Sequence, residues 1–97
     1  MNSQLSLTDI PTEEDARRRW QDEAFTWLER WLTQHPVLFA EDVQADLAVM
    51  VGVPVDKAWL GPVVRRLASA GYIRKDGYRT GSNGSPKDVW LSLRYRR

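Results

Sequence analysis

Ala16, Trp20, Ala24, Trp27, Leu28, Trp31 and Leu32 recur at three- and four-residue spacing and draw one apolar stripe along about five turns of helix. Thr12 ahead of them can accept from a first-turn amide, and Asp15 stands at the reciprocal position of a capping box. Glu13 and Glu14 put negative charge where the helix dipole favours it. His35-Pro36 closes the pattern, because proline cannot donate and pushes its predecessor out of the helical region. The pattern thus predicts a helix over 12–34.

Val37-Leu38-Phe39 is a short, partly β-branched apolar run suited to a strand. A second helix is predicted over 40–51, opening with Glu41 and Asp42, burying Val43, Leu47 and Met50, and stopping before Gly52. After the turn Val53-Pro54-Val55, Asp56 can cap a third helix over 56–70 with Leu60, Val63, Val64 and Leu67 as its buried stripe. Pro62 either kinks that helix or marks an irregular first turn. Gly71 ends it. Residues 72–80 read as a strand with a bulge at Asp76-Gly77, residues 81–87 as a turn, and residues 88–93 as the returning strand of a hairpin. Residues 1–10 carry no sustained period and read as an arm before one domain over 11–97, which ends in the basic tail Arg94-Tyr95-Arg96-Arg97.

Composition supports a single core. With 97 residues, 42% hydrophobic content and five Trp, three Tyr and two Phe, the chain can bury roughly 60–65% of its unfolded surface. Each buried aromatic ring contributes on the order of 2–3 kcal/mol. Cysteine is absent, which removes disulfides, thiolate metal sites and cysteine nucleophiles. No apolar run is long enough to cross a bilayer, and Met1–Ile10 lacks the basic-then-apolar plan of a signal peptide, so a soluble cytoplasmic protein is expected.

Net charge is +1, but the two halves differ sharply. Residues 1–50 carry four basic and ten acidic residues (4 − 10 = −6), and residues 51–97 carry ten basic and three acidic (10 − 3 = +7). Such asymmetry predicts a polyanion-facing surface built from the second half.

The order helix, short strand, helix, turn, helix, strand, loop, strand is that of the winged helix-turn-helix, an α+β fold. Ala58-Trp59-Leu60-Gly61, Arg65-Arg66-Leu67, Gly71-Tyr72-Ile73, Gly77-Tyr78-Arg79-Thr80 and Val89-Trp90 resemble small phage-type and bacterial winged-helix proteins. The resemblance covers residues 37–93. It implies that the third helix enters the major groove of duplex DNA while the hairpin, the wing, touches a neighbouring groove or backbone.

The residues themselves argue in the same direction. A helix in the major groove needs an outward face without bulky apolar groups and with donors for base edges and phosphates. Lys57, Arg65, Arg66 and Ser69 supply the donors, and Gly61 and Pro62 keep the face small. Arg74, Lys75, Arg79 and Lys87 lie on or beside the hairpin, placed for phosphates. The expectation is a duplex-DNA-binding protein, a transcriptional regulator or phage-type accessory factor. The competing expectation is a winged helix used for protein binding, an assembly component or an inhibitor of a host complex, with the Trp-rich acidic first helix as its contact.

Trp20, Trp27 and Trp31 exceed what one small core requires and predict a homodimer through the first helix. Trp90 and Tyr72 alternate with polar neighbours and are expected in the core, whereas Trp59 either packs between helices or stacks on a ligand. His35 is the lone histidine and has no ligand pattern around it, so no metal is expected. No P-loop, nucleophile motif or metal-spaced cluster points to an enzyme or a cofactor. Gly81-Ser82-Asn83-Gly84 matches the GxxG pattern with which KH domains clamp RNA, but it lies between strands and reads as a hairpin tip.

Overall fold

The computed structural model describes residues 12–96; the arm expected over 1–10 lies outside the described residues. The architecture is α+β, with three helices and a three-stranded antiparallel sheet. Helix α1 spans Glu13–Trp31, strand β1 Val37–Phe39, helix α2 Ala40–Met50, a 3-10 turn Lys57–Trp59, helix α3 Leu60–Ser69, and strands β2 and β3 Ile73–Thr80 and Pro86–Ser92.

Helix α1 begins as its sequence dictates, with the Thr12 hydroxyl accepting from the Asp15 amide at 3.1 Å. Its stripe splits by depth. Trp20, Ala24, Leu28 and Leu32 are buried, whereas Trp27 and Trp31 are half-buried against the core. Ala16, expected in the stripe, is exposed together with all of 13–19, because the first two turns of α1 run past the edge of the core. The α-helix stops at Trp31, three residues before the expected end, and Thr33 and Gln34 fold back onto the Arg30 and Trp31 carbonyls.

In α2, Val43 and Leu47 point inward. Met50 does not: it is 63% exposed, since the helix ends there and Val51 takes the inward place beside the core. The end of α3 is fixed by Gly71, whose φ of 82° suits a residue without Cβ. With the chain turned there, the Tyr72 amide reaches the Leu67 carbonyl and the Gly71 amide the Ala68 carbonyl, both at 3.0 Å, satisfying two carbonyls the helix leaves open.

The sheet order is β1-β3-β2, so the last strand is the middle one. Leu38 pairs with Trp90 and Ile73 with Ser92, which puts these four on the face toward the helices. Phe39 pairs with Val89 and Arg79 with Lys87 on the other face, which at the hairpin end meets the first turn of α2. The expected bulge falls between Lys75 and Gly77, where φ is 121°. Strand β3 starts at Pro86, two residues before the expected start, so the hairpin loop is the short segment 81–85. Ser92 closes the core: its buried hydroxyl donates to the Leu32 carbonyl at 2.7 Å and ties the end of β3 to the end of α1. Among the described residues no helix is long and apolar enough to cross a membrane.

Candidate nucleic-acid interface

The start of α3 is set by Asp56, whose carboxylate accepts from the Ala58 amide at 2.9 Å. One 3-10 turn follows before the α-helix begins at Leu60, so Pro62 falls in the first α-helical turn, where its missing N–H is not needed. Leu60, Val63, Val64 and Leu67 are buried, leaving Ala58, Gly61, Pro62, Arg65, Arg66 and Ser69 exposed. Arg65 folds back over Gly61: a Cβ built on that glycine would lie 3.6 Å from the Arg65 Nη1. Trp59 packs inside the chain, its ring 6.3 Å from that of Trp20, and its carbonyl accepts from the Gln21 side chain at 3.0 Å.

The eight predicted contact residues do not form one surface. Arg66 turns away from the exposed face of α3 and onto α1, donating to Asp22 at 2.8 Å and lying 4.2 Å above the Phe25 ring. Phe25 in turn stands 6.1 Å from Tyr72, which carries the Arg94 guanidinium at 4.5 Å on its ring. Arg66 therefore belongs to a seam of alternating cations and rings between α1, α3 and the segment after β3. Arg79 bonds Asp42 in the first turn of α2 at 2.6 Å and covers the buried Phe39 ring at 3.8 Å. Lys75 bonds the Tyr78 hydroxyl at 3.1 Å and Asp88 at 3.3 Å, all within the hairpin. These two partners, the tyrosine hydroxyl first, hold the Lys75 ammonium charged to higher pH than a free lysine. Arg74 pairs with Leu91 on the sheet face turned from the helices, and Ser69 is exposed at the last turn of α3.

What does converge is Lys57 and Lys87. They line one cleft of about 570 Å³ between α2, the start of α3 and the hairpin tip, together with Gln44, Ser82 and Asn83. The hairpin is held there by Glu41, whose carboxylate accepts from the Ser82 amide at 3.1 and 3.2 Å. Gly81 sits so tightly in that contact that a Cβ on it would meet the Glu41 Oε2 at 2.5 Å and the Lys87 Cε at 2.7 Å. Among the described residues no carboxylate lies within 4.0 Å of the charged nitrogens of Lys57, Arg65 or Lys87. Sequence reasoning missed Gln44, Glu41 and Asp42 at this site, since each reads as ordinary helix surface until the hairpin folds over it.

Of the three tryptophans expected at an oligomer surface, Trp20 is consumed by its own chain. It is 7% exposed and donates its Nε1–H to the Gly52 carbonyl at 2.7 Å, which pins the turn between α2 and α3 onto α1. Trp31 stacks on His35 at 3.8 Å, and the His35 Nδ1 lies 2.9 Å from the Trp31 carbonyl.

Comparisons with known proteins identify no relative: no family model, no curated protein and no solved structure matches the chain.

Proposed function

We propose that the chain is a winged helix that binds duplex DNA, as a regulator or phage-type accessory factor, with α3 as the groove-entering helix and the β2–β3 hairpin as the wing. The observation that carries this reading is the meeting of Lys57 and Lys87, thirty residues apart, at one cleft whose carboxylate, Glu41, is bonded to the Ser82 amide and pairs with neither lysine. Arg65 extends the cationic line along the small-residue face of α3. Arg74 and Ser69 are secondary contacts in this reading. Arg66, Lys75 and Arg79 are already bonded to carboxylates, and each joins the DNA contacts only by exchanging that partner for a phosphate.

If Lys57, Arg65, Lys87 and one exchanging cation neutralise about four phosphates, the logarithm of affinity falls with the logarithm of salt at a slope of roughly −3.6. Fluorescence anisotropy of a labelled random duplex titrated at several salt concentrations measures the slope directly. Absence of binding at ~50 mM salt, where phosphate attraction is strong, would overturn the reading.

One observation favours a second reading, in which the same fold binds a protein. Glu13, Glu14, Arg17 and Asp56 line a groove with Ala58, Trp59 and Pro62, so two acids, Glu13 and Asp56, flank one edge of the α3 face beyond the Glu14–Arg17 pair. They repel phosphates and suit a basic partner segment. The two readings separate on the charge-reversed double variant of Glu13 and Glu14 to Lys, which leaves the Asp56 cap in place, strengthens DNA binding under the first and weakens partner binding under the second.

A further inference from the structure

A shallow groove runs beside α1 at the C-terminal end of α2, lined by Glu23, Thr26, Trp27, Arg30, Met50 and Val51. Asp22 at its edge is already bonded to Arg66. Glu23 and Arg30 are exposed and have no ion-pair partner among the described residues. They stand seven residues apart, two turns or about 10.5 Å along one face, too far to pair with each other. Thr26 and the half-buried Trp27 lie midway between them. Met50 in the groove is 63% exposed, and Val49 beside it on α2 is 83% exposed.

A face with an acid at one end, a base at the other and an apolar centre complements itself when turned by a half rotation. We propose that this groove receives a second copy of the chain, with the two α1 helices antiparallel about a two-fold axis near Thr26 and Trp27. In that arrangement Glu23 of each copy meets Arg30 of the other, so the pair is made twice, and Trp27 meets its own counterpart at the centre. The aliphatic end of α2 supplies the flanking contact. A net charge of +1 leaves no global repulsion to oppose it. The interface uses Trp27 of the expected aromatic set and neither Trp20, which is inside the core, nor the stack of Trp31 on His35. It goes beyond the DNA reading and does not depend on it.

Sedimentation velocity on the full chain across the micromolar range tests the proposal. The expected result is a concentration-dependent species of twice the chain mass. Glu23→Arg and Arg30→Glu each place like charges opposite one another twice and weaken association by roughly tenfold or more. The double variant E23R/R30E restores it to within about twofold of the original, since the pair is remade in reverse across the axis. Both positions are exposed, and circular dichroism confirms that the variants are folded. Trp27→Ala weakens association without touching charge. A monomer at every concentration, a dimer indifferent to both single reversals, or a double variant as weak as the singles each overturns the proposal.

Discussion

Removing the Asp42 carboxylate tests whether the hairpin faces DNA, because Asp42 now holds the cation that phosphate would otherwise take. In the structure Arg79 donates to Asp42 at 2.6 Å, yet both side chains are about half exposed, at 49% and 62%. An ion pair so open to water is worth about 0.2–1 kcal/mol. Asp42 also places charge in the first turn of α2, which adds about 0.3–1 kcal/mol. Asp42→Ala gains in helix propensity, so the net loss of stability is expected near 0.5–1 kcal/mol, measurable in urea denaturation and harmless to the fold. The effect on DNA runs the other way. A freed Arg79 neutralising one more phosphate steepens the salt slope by about 0.9, which is roughly an eightfold gain in affinity at 0.1 M salt relative to 1 M. Arg79→Ala lowers stability as well, since it uncovers the Phe39 ring, but it gives no such gain. Adding it to Asp42→Ala cancels the gain. Anisotropy titrations of the four proteins at several salt concentrations read both slope and affinity. If Asp42→Ala leaves slope and affinity unchanged while the protein still binds duplex DNA, Arg79 faces no phosphate and the wing is not docked as proposed.

The other predictions are more local. Gly61→Ala meets only an ordinary contact with Arg65 and replaces glycine in an exposed helix, so it stabilises the fold by up to about 1 kcal/mol while weakening DNA binding by narrowing the approach to α3; paired thermal melts and anisotropy check both signs. Ser92→Ala leaves the buried Leu32 carbonyl without its donor and costs about 1–3 kcal/mol in urea denaturation; a loss under 0.5 kcal/mol contradicts the role given to that bond. Because the folded chain binds the Lys75 proton more tightly than the unfolded chain, that contribution to stability is fully present below about pH 10.5 and is lost as pH rises above it through the folded value. A nitrogen NMR titration of Lys75 should show its midpoint above the ordinary value and Asp88→Asn should lower it; a midpoint at the ordinary value disproves the contacts drawn here.

How much of this was legible beforehand follows the range of the interactions involved. The Thr12 cap, the stripe of α3 and the Asp76-Gly77 bulge are read correctly because their causes lie within a few residues of one another. The irregular start of α3 is likewise announced by Pro62. Periodicity puts Met50 in the core because it continues to the end of a helix, whereas the core ends where the neighbouring elements do. Cations presented the larger difficulty. Arg66 meets Asp22 across 44 residues and Arg79 meets Asp42 across 37, so sequence marks them as basic without telling that they are engaged. The same limit applies to the tryptophans, since only the packed structure separates Trp20, bonded to Gly52, from Trp27, which keeps an open edge.

The position of β3 in the middle of the sheet bears on the order in which the chain acquires structure. Strands β1 and β2 make no bonds to each other, and each finds its partner in residues 86–92. On a ribosome, α1, β1, α2 and α3 would all emerge while the sheet still lacks the strand that joins it. The flank of Leu38 along the sheet would stay open until then, without the Trp90 that later stands beside it. Ser92, which locks the end of α1, comes at the end of that strand. The sheet therefore cannot form cooperatively until residues 86–92 have emerged, and β1 and β2 remain two unpaired edges up to that point.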